Sequence, residues 1–255
     1  MWTGGERSLT WWQFLLLVVV YAAIIQVGGR VIGADVSTDE GWETAGNVLE
    51  AALIPIGLSS VFVIALATWL RWWPQIIHEP RPVQRWVRIV PVALLLAALV
   101  GTSWGNLFDQ KATLVLVLFL VVVIGGSTEE LMFRGVGLVT FRRMGLTEAR
   151  VALYSSVVFG AVHLSNALGT GTSAIFQAFA VTFTGYMLYL TRRWAGALWL
   201  AMPVHSSQDF VILSGQIGVD PESSPLSLIV IVTMIGLGIF LWRRRHRIEP
   251  QPASA

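Results

Sequence analysis

Residues 112–140 read ATLVLVLFLVVVIGGSTEELMFRGVGLVT. The stretch opens as an unbroken apolar run and then, without leaving helix-forming sequence, places Glu129, Glu130 and Arg134 where a bilayer would be. Too long for a strand and too apolar for a soluble surface helix, it reads as a membrane span carrying charges that it should not carry.

The rest of the chain agrees. Of 255 residues, 55% are hydrophobic and only 13% charged, against about 25% charged in soluble domains. Apolar runs recur at lengths that cross a bilayer, roughly 20 helical residues. No stretch alternates with the two-residue rhythm of a barrel strand, so the spans are helical. The absence of cysteine excludes disulfides and thiolate chemistry. Arginine makes up 16 of the 17 basic residues, nearly all in loops; this explains the basic balance without a nucleic-acid partner. The first apolar segment has no small-x-small cleavage pattern behind it and is expected to be a retained span.

Eight spans are expected, near 11–29, 47–70, 86–104, 112–142, 147–164, 173–191, 195–213 and 225–242. The fourth exceeds one crossing and contains Gly125-Gly126, so it is kinked there or projects beyond the bilayer. Arginines gather in alternate connections: Arg71, Arg81, Arg85 and Arg88; Arg142, Arg143 and Arg150; Arg192 and Arg193; Arg243, Arg244, Arg245 and Arg247. The intervening connections are acidic or neutral, with Asp35, Asp39, Glu40 and Glu43 in the first and Asp220 and Glu222 in the last, and Arg30 and Lys111 the only basic residues on that side. The positive-inside rule then puts both termini in the cytoplasm of a bacterial inner membrane. Trp11, Trp12, Trp69, Trp72, Trp73, Trp194 and Trp242 read as interfacial anchors, and segment 71–88 as a surface stretch. With no inverted repeat evident, a proton-coupled carrier is disfavoured.

Inside the spans fall Glu129, Glu130, Arg134, His163, His205 and Asp209. Each charge costs about 2.5–3.5 kcal/mol at mid-bilayer even on the lenient scale. Glu130 and Arg134 are one turn apart, as are His205 and Asp209, and Phe159 and His163. Spans 4 and 5 form a hairpin turning near Gly145; Glu129 lies 16 residues before it and His163 lies 18 after. Glu129 is 13 residues from Arg142, His163 is 13 from Arg150, and His205 is 12 from Arg193. At 1.5 Å per residue all three lie ~18–20 Å from the basic rim, in one layer. Glu130 with Arg134 also reads as a purely structural pair. Two histidines level with a further carboxylate point to a functional site.

The motifs Glu129-Glu130-Leu131-Met132-Phe133-Arg134, Phe159-Gly160-Ala161-Val162-His163 and His205-Ser206-Ser207-Gln208-Asp209 resemble, in order, the EExxxR, FxxxH and HxxxN/D patterns of the CPBP family. This is a family of intramembrane proteases that includes CAAX proteases and bacteriocin-processing enzymes and is also called ABI. The resemblance covers about residues 112–215. It implies an eight-helix bundle with an intramembrane cavity and a glutamate-dependent peptidase in which Glu129 and His163 activate water. His205 and Asp209 would stabilise the oxyanion, and Glu130 and Arg134 would support the site. An ionised Asp209 cannot donate a hydrogen bond, so it can instead accept from His205. Asn166, Ser206 and Gln208 are candidate cavity-lining groups.

The chain is thus expected to be one all-α membrane domain over residues 1–255, with a core at 112–215 and a cytoplasmic tail at 243–255. Its partners are expected to be the lipid bilayer and a peptide or protein substrate, lipidated or not. No cofactor is expected. Zinc is the minority alternative: Glu, His and Asp can bind it, but the two histidines come from different spans and make no HExxH. The runner-up function is a non-catalytic membrane protein for bacteriocin immunity or maturation.

Overall fold

A computed structural model describes residues 7–31, 42–167 and 171–250. Asp35, Asp39 and Glu40 of the first acidic connection lie outside the described residues, as does the tail beyond 250. The described chain is an all-α bundle. Its helices are α1 (Trp11–Val31), α2 (Ala45–Leu70), α3 (Trp73–Ile77), α4 (Ile89–Gly101), α5 (Trp104–Asp109), α6 (Ala112–Arg143), α7 (Glu148–Val162), α8 (Ser173–Ala195), α9 (Ala201–Ser214) and α10 (Leu228–Arg244). Five segments are long and apolar enough to cross a membrane: α1, α2, α6, α8 and Pro225–Arg247, which contains α10. The expected spans at 86–104, 147–164 and 195–213 correspond to α4, α7 and α9, helices of 13, 15 and 14 residues that fall short of that length.

Local sequence explains the helix boundaries. The Thr44 side chain accepts from the Asn47 N–H and starts α2. Pro55 would cost α2 a hydrogen bond and clash with the preceding turn; the turn before it, Leu49–Leu53, is widened into a π-helix. Arg71 closes α2 in the left-handed conformation at φ 60°. Gly145, at φ 75°, supplies the turn between α6 and α7. Helix α6 runs 32 residues without a break at Gly125-Gly126, about 48 Å at the α-helical rise. It therefore projects beyond a ~30 Å hydrocarbon core.

Helices α6 and α9, α7 and α8, and α1 and α2 are the closest pairs, and α4 packs between α9 and α10. Two close approaches depend on glycine. A Cβ at Gly126 would meet the Ser206 hydroxyl at 2.8 Å, and one at Gly160 would overlap the Thr182 hydroxyl and the Ala178 carbonyl. The first seats α9 on α6; the second seats α8 on α7. Apolar side chains such as Val61, Leu99 and Ile235 face outward, as a lipid-exposed surface requires.

At the arginine-bearing end the structure corrects two expectations. Trp72 is not an interfacial anchor: it is fully buried, its indole N–H donates to the Arg7 carbonyl at 3.0 Å, and Arg143 stacks over it at 4.3 Å. Segment 71–88 is not simply a surface stretch, because the left-handed turn at Arg71 folds it under the bundle and buries Ile76, Glu79, Val83 and Val87. Glu79 accepts from Arg142 at 2.9 and 3.1 Å and from Arg192 at 3.1 Å. Glu148 accepts from Arg142 at 2.9 Å through each oxygen and from Tyr189 at 2.8 Å. Arg193 grips Glu249 with two hydrogen bonds, at 2.6 and 2.9 Å. The arginines of this end are thus tie-rods of the fold.

Candidate active site

At Glu130 helix α6 widens into a π-helix that continues to Gly137, a distortion frequent at functional sites. Glu129 is the last residue before the widening. Its side chain keeps 20% exposure, whereas those of Glu130 and Arg134 have none. Adjacent carboxylates thus point into different worlds. Arg134 meets Glu130 at 2.9 Å, and its guanidinium lies 3.9 Å from the centre of the Phe159 ring. Charge and cation–π attraction together hold the arginine in a dry core.

His205, on α9, bridges the two carboxylates. Its Nδ1 is 3.0 Å from Glu130 Oε1, and its Nε2 is 3.4 Å from Glu129 Oε2 and 3.6 Å from Asp209 Oδ2. Glu130 Oε1 also faces Arg134, which can only donate, so this oxygen is an acceptor and Nδ1 donates to it. Nε2 is then the nitrogen that shares a proton with Glu129 and Asp209. The Phe159 ring packs edge-on against both histidines, with centroids 5.0 Å from His163 and 5.5 Å from His205.

His163 ends α7 and opens a short 3₁₀ turn through Asn166. Its Nδ1 donates to the Phe159 carbonyl at 2.9 Å, since a carbonyl offers no proton. That bond fixes the neutral tautomer and leaves Nε2 as the basic nitrogen. The turn is latched from two sides. Gln26 of α1 donates to Ser165 at 3.0 Å and to Asn166 at 2.7 Å, and Asn166 donates to Gln177 of α8 at 2.8 Å.

A cavity of about 370 Å³ joins these elements; Glu129, His163 and Asp209 line it together with Tyr21, Gln26 and Asn166. Of the six expected site residues, three reach the cavity, while His205, Glu130 and Arg134 form a layer behind it. Asn166 lines the wall as expected. Ser206 and Gln208 do not: their side chains bond the Met202 carbonyl and the Leu94 carbonyl, at 3.0 Å each. Among the described residues, no group of three or more histidine, aspartate or glutamate side chains is arranged to hold a metal ion.

Sequence reading missed the contribution of α1. Tyr21 is buried, lines the cavity and lies beside Glu129 and Ser59. Gln26 holds the His163 turn, and Arg30 stands on the same cavity wall. A signal was present: Gln26 is a polar residue inside an otherwise apolar span, where it needs a partner.

No curated protein and no solved structure matches the chain. Residues 111–211, which run from the start of α6 into α9, match the family model described as Type II CAAX prenyl endopeptidase Rce1-like. The polar layer of this multi-pass membrane protein therefore lies within the region that matches an Rce1-like endopeptidase domain, a match consistent with the CPBP/CAAX protease family.

Proposed function

We propose that the protein is a glutamate-dependent intramembrane endopeptidase of a bacterial inner membrane, with both termini cytoplasmic, acting without a metal on a membrane-associated peptide, lipidated or not. The observation that carries the reading is that Glu129 and His163, from different helices, stand on the wall of one cavity, inside a region that matches an endopeptidase domain.

Glu129 takes a proton from a cavity water, and the resulting hydroxide adds to the scissile carbonyl carbon. The tetrahedral oxyanion collapses, the C–N bond breaks, and the leaving nitrogen takes the proton back. His163 Nε2 stands as the second proton carrier, able to accept from the water or pass a proton to the leaving amine. His205, set behind the wall, acts by holding Glu129 and Asp209 in place. This role fits its contacts better than direct donation to the oxyanion. Behind the wall, where Glu130, Arg134 and His205 are buried, charge interactions are stronger than in water.

The test is Glu129→Gln in purified, detergent-solubilised protein, assayed on a library of lipidated and unlipidated peptides. Turnover is expected to fall by about 10²–10⁴-fold with an unchanged unfolding temperature and no response of the wild type to chelators. Full activity in Glu129→Gln would sink the glutamate mechanism. Loss of activity on chelation, reversed by zinc, would replace the metal-free step. Failure of the wild type to cut any peptide would favour the non-catalytic binding protein.

A further inference from the structure

The cavity has a direction. Beyond the Glu129 layer, every helix that lines it does so with the half further from the arginine rim. On α1 the wall runs from Tyr21 through Ile25 and Gln26 to Arg30, near the helix end; on α2 it uses Ala51, Ala52 and Ile56, near the helix start. Helix α6 contributes Val121, Val122 and Gly125 before Glu129, whereas its arginines 142 and 143 come after. Helix α9 contributes Asp209, Ile212 and Leu213 at its end, and α8 contributes Gln177 at its start, 15 residues before Arg192. The rim itself is closed below the site by buried Trp72, Arg192 and Arg193 and by the paired Glu79.

We propose that the cavity is entered from the non-cytoplasmic face of the membrane, through a mouth where Arg30 favours an anionic group on the incoming peptide. The orientation follows from the arginine-rich end being cytoplasmic. Arg30 is exposed and is the one arginine or lysine among the lining residues. It sits nine residues past Tyr21, about 14 Å further along α1. The inner end of the cavity carries Glu129 and Asp209 and repels anions, so a negative group is accommodated only at the mouth. Calling the entrant a substrate rests on the endopeptidase reading; the entry face does not.

The absence of cysteine makes the test direct. Gly28 packs on Pro55 at a distance of 3.2 Å for an added Cβ, so in these antiparallel helices Ala52 lies close to the level of Arg30. In intact cells, Ala52→Cys and, as a second probe, Leu213→Cys should react with a membrane-impermeant maleimide. The exposed Arg243→Cys should react only after permeabilisation. With impermeant thiosulfonates, the rate ratio of the anionic to the cationic reagent at Ala52→Cys should drop roughly threefold or more in Arg30→Gln. Labelling of Arg243→Cys but not of the cavity cysteines in intact cells would overturn the proposal, and so would cavity cysteines that stay unreactive after permeabilisation. An unchanged reagent ratio would remove Arg30 from it. Loss of the peptidase reading alone would leave these labelling patterns intact.

Discussion

The molecule buries charge twice, and the two clusters differ in balance. At the arginine rim, Glu79, Glu148 and Glu249 are met by Arg81, Arg142, Arg192 and Arg193, and nearly every carboxylate oxygen has a cation against it. In the mid-bundle layer three carboxylates, Glu129, Glu130 and Asp209, share one arginine and one histidine. Cations in excess close the rim; carboxylates in excess leave the central layer able to hold and move a proton, and that layer faces a cavity. Burial of charge alone therefore does not mark a site. Incomplete pairing beside accessible space does.

The largest effect expected from breaking this contrast comes at its hinge, Arg134. Arg134→Leu leaves Glu130 without its guanidinium in a site with no exposure, with His205 its remaining partner, and should cost about 3–5 kcal/mol of stability, read as a large drop in unfolding temperature in detergent. The double variant with Glu130→Leu should recover most of that stability, because replacing a buried pair with apolar groups is often neutral. It should not recover turnover, since His205 then loses the acceptor for Nδ1. Recovery of activity in the double variant would reduce the pair to interhelical glue.

The rim should behave in the opposite way. Glu79→Gln withdraws the acceptor from Arg142 and Arg192 and should cost about 3 kcal/mol, while turnover per folded molecule stays within a few-fold of wild type. A selective fall in turnover at unchanged stability would show that the rim communicates with the site. Next in size is Gly160→Ala, where the new methyl meets Thr182 and Ala178. Pushing α8 off α7 should cost about 1–3 kcal/mol and lower activity as well, because His163 follows three residues later.

How much of this was legible beforehand can be judged at particular residues. Arg134 with Glu130 and His205 with Asp209 met as their one-turn spacing required, because spacing on a single helix needs no knowledge of the fold. The common level of Glu129 and His163 was also readable, from the hairpin at Gly145 and the helical rise. The division of those residues between cavity and interior was not. It depends on how α6 is turned against its neighbours, which buries Glu130 and leaves Glu129 on the wall, and on α9 seating His205 behind that wall. Trp72 misled because Trp69 and Trp73 on either side of it are not buried, and the left-handed turn at Arg71 that carries Trp72 inward has no signal in the residue pattern. Helix α1 was undervalued since its sequence shows apolar periodicity and no motif; its contribution arises from antiparallel packing on α2, which brings Gln26 to a turn 139 residues away.

That last contact gives the smallest and most discriminating prediction. Gln26→Ala removes two hydrogen bonds, to Ser165 and Asn166, and touches neither Glu129 nor the arginine layer. Its cost in stability should be about 1 kcal/mol, close to the limit of detection in a bundle of this size. The effect on catalysis should be proportionally greater, because the latch positions the turn that begins at His163, and small displacements of a proton carrier lower turnover steeply. A several-fold fall in kcat with little change in unfolding temperature is expected, and Gln26→Glu, which keeps the shape but has no N–H to donate, should behave like the alanine variant. If instead stability falls and kcat per folded molecule is unchanged, α1 is scaffold only. The machinery would then be confined to the four helices from α6 to α9, and the contrast between paired rim and unpaired centre would lie entirely within them.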